Sequence, residues 1–306
     1  MTSLHTLLAA TDLSAPSRHA AQRAALLAKQ AGARLELVHV LETSALDELR
    51  RLFGVDGDAL QARIRADADD SLSQLATDVG QGAGIDVSSK VLEGTVLDAT
   101  IAHAQSLAAD LLVLGARGAG FMRHWLLGAT AERLLRKTQR PMLVVKQAPH
   151  ETYRSVLIAV DFSPWSAGAI RLALAVAPRA RLALLHASEM PFEGKMRFAG
   201  VDDAVILRHR ETARCDALGR LQHIAAEAGL TADCWRPLAL HGDAATRVLE
   251  QEEELGADLV VVCKQGGDSA EALLLGSVTK HVLARSRCDV LVARARAGAD
   301  ASSATD

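Results

Sequence analysis

Two short constellations in this chain have the residue types and spacing to hold an anion. The first is Gly115-Ala-Arg-Gly118, nine intervening residues, then Gly128-Ala129-Thr130; the second is Cys263-Lys-Gln-Gly266, nine residues, then Gly276-Ser277-Val278. Glycine lets a backbone approach a ligand closely, and free amides at the head of a helix present positive partial charge, so the pattern suits a phosphate. Asp12 and Asp161, each after an apolar run, add a carboxylate to each set. Plainer uses stand beside these: glycines serve strand-end turns, and Asp12 and Asp161 can cap the turn that follows a strand. Arg123 and His124 suit either a solvated face or a phosphate clamp. His39 and His186 fall inside strands and read as core or sheet-edge residues rather than as a base. No GxxxxGK[ST] loop, GxSxG elbow or metal-spaced histidine cluster accompanies them.

The elements that must position these residues come in duplicate. Ala33-Arg-Leu-Glu-Leu-Val-His39 recurs as Ala180-Arg-Leu-Ala-Leu-Leu-His186, and Ala109-Asp-Leu-Leu-Val-Leu114 as Ala257-Asp-Leu-Val-Val-Val262. Asp12 maps to Asp161 with an offset of 149, His39 to His186 with 147, and Asp110, Gly118 and Gly128 to Asp258, Gly266 and Gly276 with 148. One duplication explains the set. In each copy short apolar runs alternate with longer amphipathic stretches, the pattern of βα units around a parallel sheet. The first copy predicts strands near 4–10, 34–41, 86–92, 111–115 and 142–146, and helices near 15–30, 59–80, 96–108 and 125–138. The second predicts strands near 155–160, 181–187, 231–239, 259–263 and 290–293, with a long helix over 204–228. Ser14 before Pro16 and Ser163 before Pro164 read as helix caps. Irregular connections are expected at 42–58 and 188–203, as surface loops or lids. The run Glu250-Gln-Glu-Glu-Glu254 reads as an exposed helix face, and Met190, Met196 and Phe198 as packing over the core or as a partner surface.

The expected fold class is α/β: two tandem doubly wound, Rossmann-like domains over 1–147 and 154–295, each a five-stranded parallel sheet with helices on both faces, and a flexible tail over 296–306. In such sheets ligands bind beyond the carboxyl ends of the strands at the topological switch point, which is where both constellations fall.

Charge argues against nucleic acid. Basic and acidic residues number 16 and 16 up to Lys146 and 18 and 21 after it, with no basic patch to neutralise a phosphate backbone. Cys215, Cys234, Cys263 and Cys288 show no CxxC spacing and read as buried reduced thiols, which fits a cytoplasmic location. Residues 1–10 read as a first strand rather than a signal peptide, and no apolar stretch has the length to cross a bilayer.

With GxxG, nine residues and G followed by Ser or Thr, with the Asp after strand one, and with the duplication, the chain resembles the universal stress protein family, the UspA family, over nearly its whole length. The resemblance implies an adenine nucleotide alpha hydrolase-like fold and an ATP-binding stress-response regulator, with at most slow ATP hydrolysis. It implies that Asp12 and Val40, with Ala10 and Leu114 nearby, flank adenine and ribose, that Gly115, Arg117 and Gly118 face ribose and phosphates, and that Gly128, Ala129 and Thr130 wrap the phosphates, with Mg2+ accompanying them. The matching set in the second copy is Asp161, Gly266, Gly276, Ser277 and Val278. Two such domains pair about a twofold axis in the family, within one chain or between two.

The copies depart from the pattern differently. Ala129 replaces the Ser or Thr in the first; in the second Cys263 replaces the first glycine, and Asp268 and Glu271 stand where the first has Gly120 and Arg123. ATP is therefore expected in the first domain and weakened or lost in the second. Two other readings stand against this one: an interaction module that binds no nucleotide, and an ATP-cleaving or adenylating enzyme. The lack of glycine in Thr11-Asp12-Leu13-Ser14 and Val160-Asp161-Phe162-Ser163 counts against the enzyme.

Overall fold

The computed structural model describes residues 3–44, 51, 57–118, 127–190, 192–264 and 275–294, omitting the side chains of 57, 58 and 232. These residues divide into two compact units, 3–152 and 153–294. In the first unit the order is β1 (Thr6–Ala10), α1 (Ala15–Ala31), β2 (Arg34–Glu42), α2 (Gly57–Ala83), β3 (Val87–Gly94), α3 (Val96–Ser106), β4 (Leu111–Gly115), α4 (Ala129–Lys137) and β5 (Met142–Val145). The second unit repeats it: β6 (Ser155–Ala159), α5 (Ser166–Val176), β7 (Arg181–Ser188), α6 (Glu193–Phe198), α7 (Asp203–Glu227), β8 (Trp235–His241), α8 (Ala244–Leu255), β9 (Leu259–Lys264), α9 (Ser277–Arg285) and β10 (Asp289–Arg294).

Within each unit the strand pairings are parallel. Strands of the first unit lie in the order β3-β2-β1-β4-β5, and those of the second in the order β8-β7-β6-β9-β10. The inner strands are apolar throughout because both faces of a parallel sheet are covered. Leu7, Leu8, Leu111, Leu112, Val113, Leu143 and Val144 are fully buried, as are Leu157, Ile158, Val260, Val261, Val290 and Leu291. The edges differ in kind. β3 alternates, and β8 carries Pro237, which a strand paired on one side tolerates. On α1 the buried stripe is mostly alanine, which brings the helix close to the sheet, and Gly32 ends it in the left-handed conformation at φ +63°.

At the amino ends of the strands the duplicated Ala-Asp acquires a purpose. The Asp110 carboxylate accepts the amides of His5 (2.8 Å) and Thr6 (3.1 Å), tying the start of β4 to the start of β1. Asp258 does the same with Arg154 (2.7 Å) and Ser155 (3.1 Å) for β9 and β6. Each Asp fixes the offset between two neighbouring central strands.

Several expectations need correction. Ser14 is the N-cap of α1 by position, but its hydroxyl donates to the Asp12 carboxylate instead of accepting from the helix. In the second unit the helix starts at Ser166 with Trp165 as N-cap, so Ser163 caps nothing. The third strand of that unit begins at Trp235, behind a 3-10 turn over Ala232–Cys234. The connection 188–203 is not wholly irregular, since it contains α6. Phe198 is 96% exposed and packs over no core. Glu252 lies one turn beyond buried Val248 and faces inward, where its carboxylate accepts the amides of Arg287 (2.7 Å) and Cys288 (2.9 Å); the acidic run is thus not a uniformly exposed face. All four cysteines are free thiols, but only Cys288 is buried, and Cys215 is exposed. Most of 42–58, the stretch 125–126 and the tail 296–306 lie outside the described residues. No described helix is long and apolar enough to cross a membrane.

Replacing Asp110 or Asp258 by Ala strands two strand-end amides. Each substitution is expected to cost about 1–3 kcal/mol, the range for hydrogen bonds to a charged group. Urea denaturation checks this: the midpoint should fall with the slope unchanged.

Candidate functional site

The chain leaves β1 toward β2 on one side and β4 toward β5 on the other, and beyond the carboxyl ends of these two strands a cavity of about 440 Å³ opens in the first unit. β1 and the turn after it contribute Ala10 and Asp12, and β2 contributes Val40. β4 and its loop bring Leu114, Gly115, Arg117 and Gly118; the head of α4 brings Gly128, Ala129 and Thr130. All ten residues singled out in the first copy therefore line one space. The head of α4 is held against the loop after β4, because Gly128 N donates to Ala116 O (2.9 Å) and Ala116 N to Val145 O (2.8 Å).

The turn after β1 is built from side chains instead of glycine. Leu13 adopts φ +63° and its counterpart Phe162 φ +58°, a left-handed backbone that a non-glycine residue adopts at a cost of about 1–2 kcal/mol. Thr11 Oγ1 accepts the Leu13 amide (3.0 Å), and Asp12 Oδ1 accepts the Ser14 amide (3.1 Å). Asp12 and Asp161 thus do cap the turn, and Asp12 also lines the cavity. Glycine leaves room opposite it: a Cβ on Gly118 would lie 2.6 Å from Asp12 Oδ2, so that carboxylate would have to shift. At Gly115 a Cβ would approach the carbonyls of Pro16 and Arg117, both at 3.2 Å, so that glycine is demanded by the protein's own backbone.

Sequence reasoning missed part of the wall. His39 lines it; its Nδ1–H donates to Thr11 O (2.9 Å), which fixes the tautomer and braces the turn. Val38, Val96, Thr100 and Leu134 make the remainder largely apolar. Val96 and Thr100 belong to the helix after the edge strand, which carries no recognisable motif.

In the second unit, Asp161, Gly276, Ser277 and Val278 are described, whereas Gly266, Asp268 and Glu271 lie outside the described residues, as do Gly120, Arg123 and His124. Gly276 and Ser277 form the head of α9, as Gly128 and Ala129 form that of α4. Cys263 occupies the place of Gly115, and α5 begins two residues later than alignment with Ala15 would give. Burial and the nearby Asp161 carboxylate push the Cys263 thiol up to about 12, so it stays protonated at neutral pH. Lys264 is buried where the first unit has Ala116. The ring of Phe162 lies 4.2 Å from that of His186 and 3.9 Å beneath the Arg220 guanidinium. Burial works to raise the Asp161 carboxyl, but hydrogen bonds from Ser163 and Ser166 outweigh it and leave the group below the ordinary aspartate value.

Comparison with known proteins places both units in one family. The universal stress protein family model matches residues 4–146 and again 152–294. A universal stress protein of Mycobacterium tuberculosis is 28% identical over 192 residues, 61% of this chain; the match spans only 62% of that relative's length. YxiE, a universal stress protein of Bacillus subtilis, is 29% identical over 150 residues, 46% of this chain and 99% of its own. The crystal structure of a universal stress protein from Archaeoglobus fulgidus shares the fold, with a TM-score of 0.68 over 94% of this chain and 98% of that one at 21% identity.

Two substitutions separate required glycines from permissive ones. Gly118→Ala forces Asp12 aside and is expected to cost about 1–3 kcal/mol. Gly276→Ala meets nothing within 4 Å among the described residues and should stay within about 0.5 kcal/mol of the parent by calorimetry. Because the folded-state pKa of Asp161 is depressed, its stabilisation is present above the unfolded value of about 3.9 and is lost as pH falls through the folded value. Asp161→Asn should therefore be less stable than the parent at pH 6, and the gap should close below about pH 4 in urea titrations.

Proposed function

Because the chain belongs to the universal stress protein family, with two copies in tandem, we propose that it is an ATP-binding regulatory protein and that the first unit holds the nucleotide. What carries the reading is the convergence of Ala10, Asp12, Val40 and both glycine segments on one cavity at the switch point. The phosphates would lie against the loop after β4 and the head of α4, where backbone amides face the space and Arg117 supplies charge. The base would lie toward β2 and α3, among Val38, Val40 and Val96. The shape of this cradle fits the group: Gly118 leaves room that a methyl group would take from Asp12, and the volume falls within the range of small-ligand pockets.

Mg2+ would travel with the phosphates. Among the described lining residues Asp12 is the one carboxylate, and its Oδ1 already accepts from Ser14. The Nδ1–H of His39 donates to a carbonyl, which leaves Nε2 as the acceptor on that ring, while the wall hydroxyls of Thr11 and Ser17 are bonded to each other (2.8 Å). Hydrolysis, where it occurs, would be slow and would rest on a water positioned against the bound triphosphate. A cytoplasmic regulator that changes state with nucleotide occupancy fits this best. In the second unit Cys263 and Lys264 replace Gly115 and Ala116, and we read that unit as a weaker site or a scaffold.

Isothermal titration of the full chain with ATP and Mg2+ tests the reading. One ATP per chain is expected. Arg117→Ala should weaken binding about tenfold, and Ala129→Ser, which adds a donor at the head of α4, should tighten it by about three- to tenfold. Absence of binding would favour the interaction module; two equal sites would overturn the assignment to the first unit.

A further inference from the structure

We infer that the Thr100 hydroxyl is a specificity contact for the base of the nucleotide bound in the first unit. The inference rests on the nucleotide reading above and adds to it a residue that no motif marks.

Thr100 lines the cavity from α3 with 0% of its surface exposed, and its Oγ1 has no hydrogen-bond partner among the described residues. That is unusual for a helical threonine, whose hydroxyl can return to the carbonyl four residues earlier. Thr77 does so with Ser73 O (2.9 Å) and Thr212 with Arg208 O (3.0 Å). Thr100 does not, although helical Val96 stands four residues before it. A buried hydroxyl without a partner destabilises the protein unless something arrives to satisfy it.

The fold itself does not ask for the hydroxyl. The offset of 148 that maps Asp110 to Asp258 maps Thr100 to Val248, also fully buried on the corresponding helix. Valine has the shape of threonine without the oxygen. The copy that keeps Gly115, Gly118 and Gly128 therefore also keeps the hydroxyl, while the copy with Cys263 has a methyl group in its place.

Position decides which part of a ligand it meets. β2 and α3 bring Val38, Val40, Val96 and Thr100 to one side of the cavity, while the glycine amides and Arg117 come from the loop after β4 and the head of α4. On the Thr100 side no described lining residue is cationic, and the head of α3, to which Val96 belongs, has its Asp98 amide taken by the Thr95 hydroxyl and carries the Asp98 carboxylate in its first turn, which disfavours a phosphate there. A heteroaromatic ring would find apolar contact for its faces and, in Thr100, a group that both donates and accepts for its polar edge. This combination discriminates among bases through hydrogen bonding, which apolar contact alone does weakly.

Titration of the full chain with ATP and with UTP, for the parent, Thr100→Val and Thr100→Ser, tests the inference, with thermal unfolding of each unliganded protein alongside. Thr100→Val is expected to lose about tenfold in ATP affinity and to lose selectivity over UTP, while its unliganded melting temperature stays level or rises. Thr100→Ser should stay within about twofold of the parent for ATP. Thr100→Ala serves the same comparison should the valine variant fold poorly. Parental ATP affinity in Thr100→Val, or an affinity loss matched by a lower melting temperature and not rescued by serine, overturns the role of Thr100 while leaving the nucleotide reading standing. A parent protein that binds no ATP overturns both.

Discussion

Everything at the candidate site depends on β1 and β4 lying side by side in register while the chain leaves them in opposite directions. Parallel neighbours of this kind end at one level, and their following segments must diverge to opposite faces of the sheet. The gap left between those segments is the cavity. Its walls consequently come from residues far apart in sequence, Asp12 and Gly118 among them, held within contact distance by strand register alone.

The same constraint explains why the two units differ more at their loops than in their sheets. Strand order and parallel pairing repeat in full, and the carboxylates of Asp110 and Asp258 accept equivalent amides at nearly equal distances. The turn after the first strand repeats too, down to a left-handed Leu13 and Phe162. Divergence begins one layer out. Cys263 stands where Gly115 packs against Pro16, α5 starts late, and Phe162 is sandwiched between His186 and Arg220. A left-handed leucine and a left-handed phenylalanine meet the same backbone demand but cover different neighbours.

Strand identity, parallel pairing and the glycine segments of the first cavity were legible in the sequence because they rest on local signals, apolar runs, glycines at fixed spacing and an offset that scarcely varies, whereas Ala10, Val40 and Leu114 came from the family resemblance. What was not legible depends on partners distant in the chain. Ser14 and Ser163 both precede a proline closely, yet α1 begins at Ala15 while α5 begins only at Ser166, and in the first unit the Pro16 carbonyl lies against Gly115. Glu252 sits in an acidic run, and its inward turn follows from amides at Arg287 and Cys288, 35 and 36 residues on. His39 and Thr100 read as ordinary strand and helix residues; only the closure of the sheet reveals that they border the same cavity.

The carboxylates of Asp110 and Asp258 lie at the amino ends of the strands, and the loops that line the cavity of the first unit at the carboxyl ends. Cohesion and recognition are thus assigned to opposite rims of each sheet, separated by the full length of the strands. A duplicated gene built this way can drift at one rim without putting the other at risk. Substitutions such as Cys263 for Gly115 can collect around the carboxyl ends of one copy while its strand register is kept, so the architecture leaves those loops free to change.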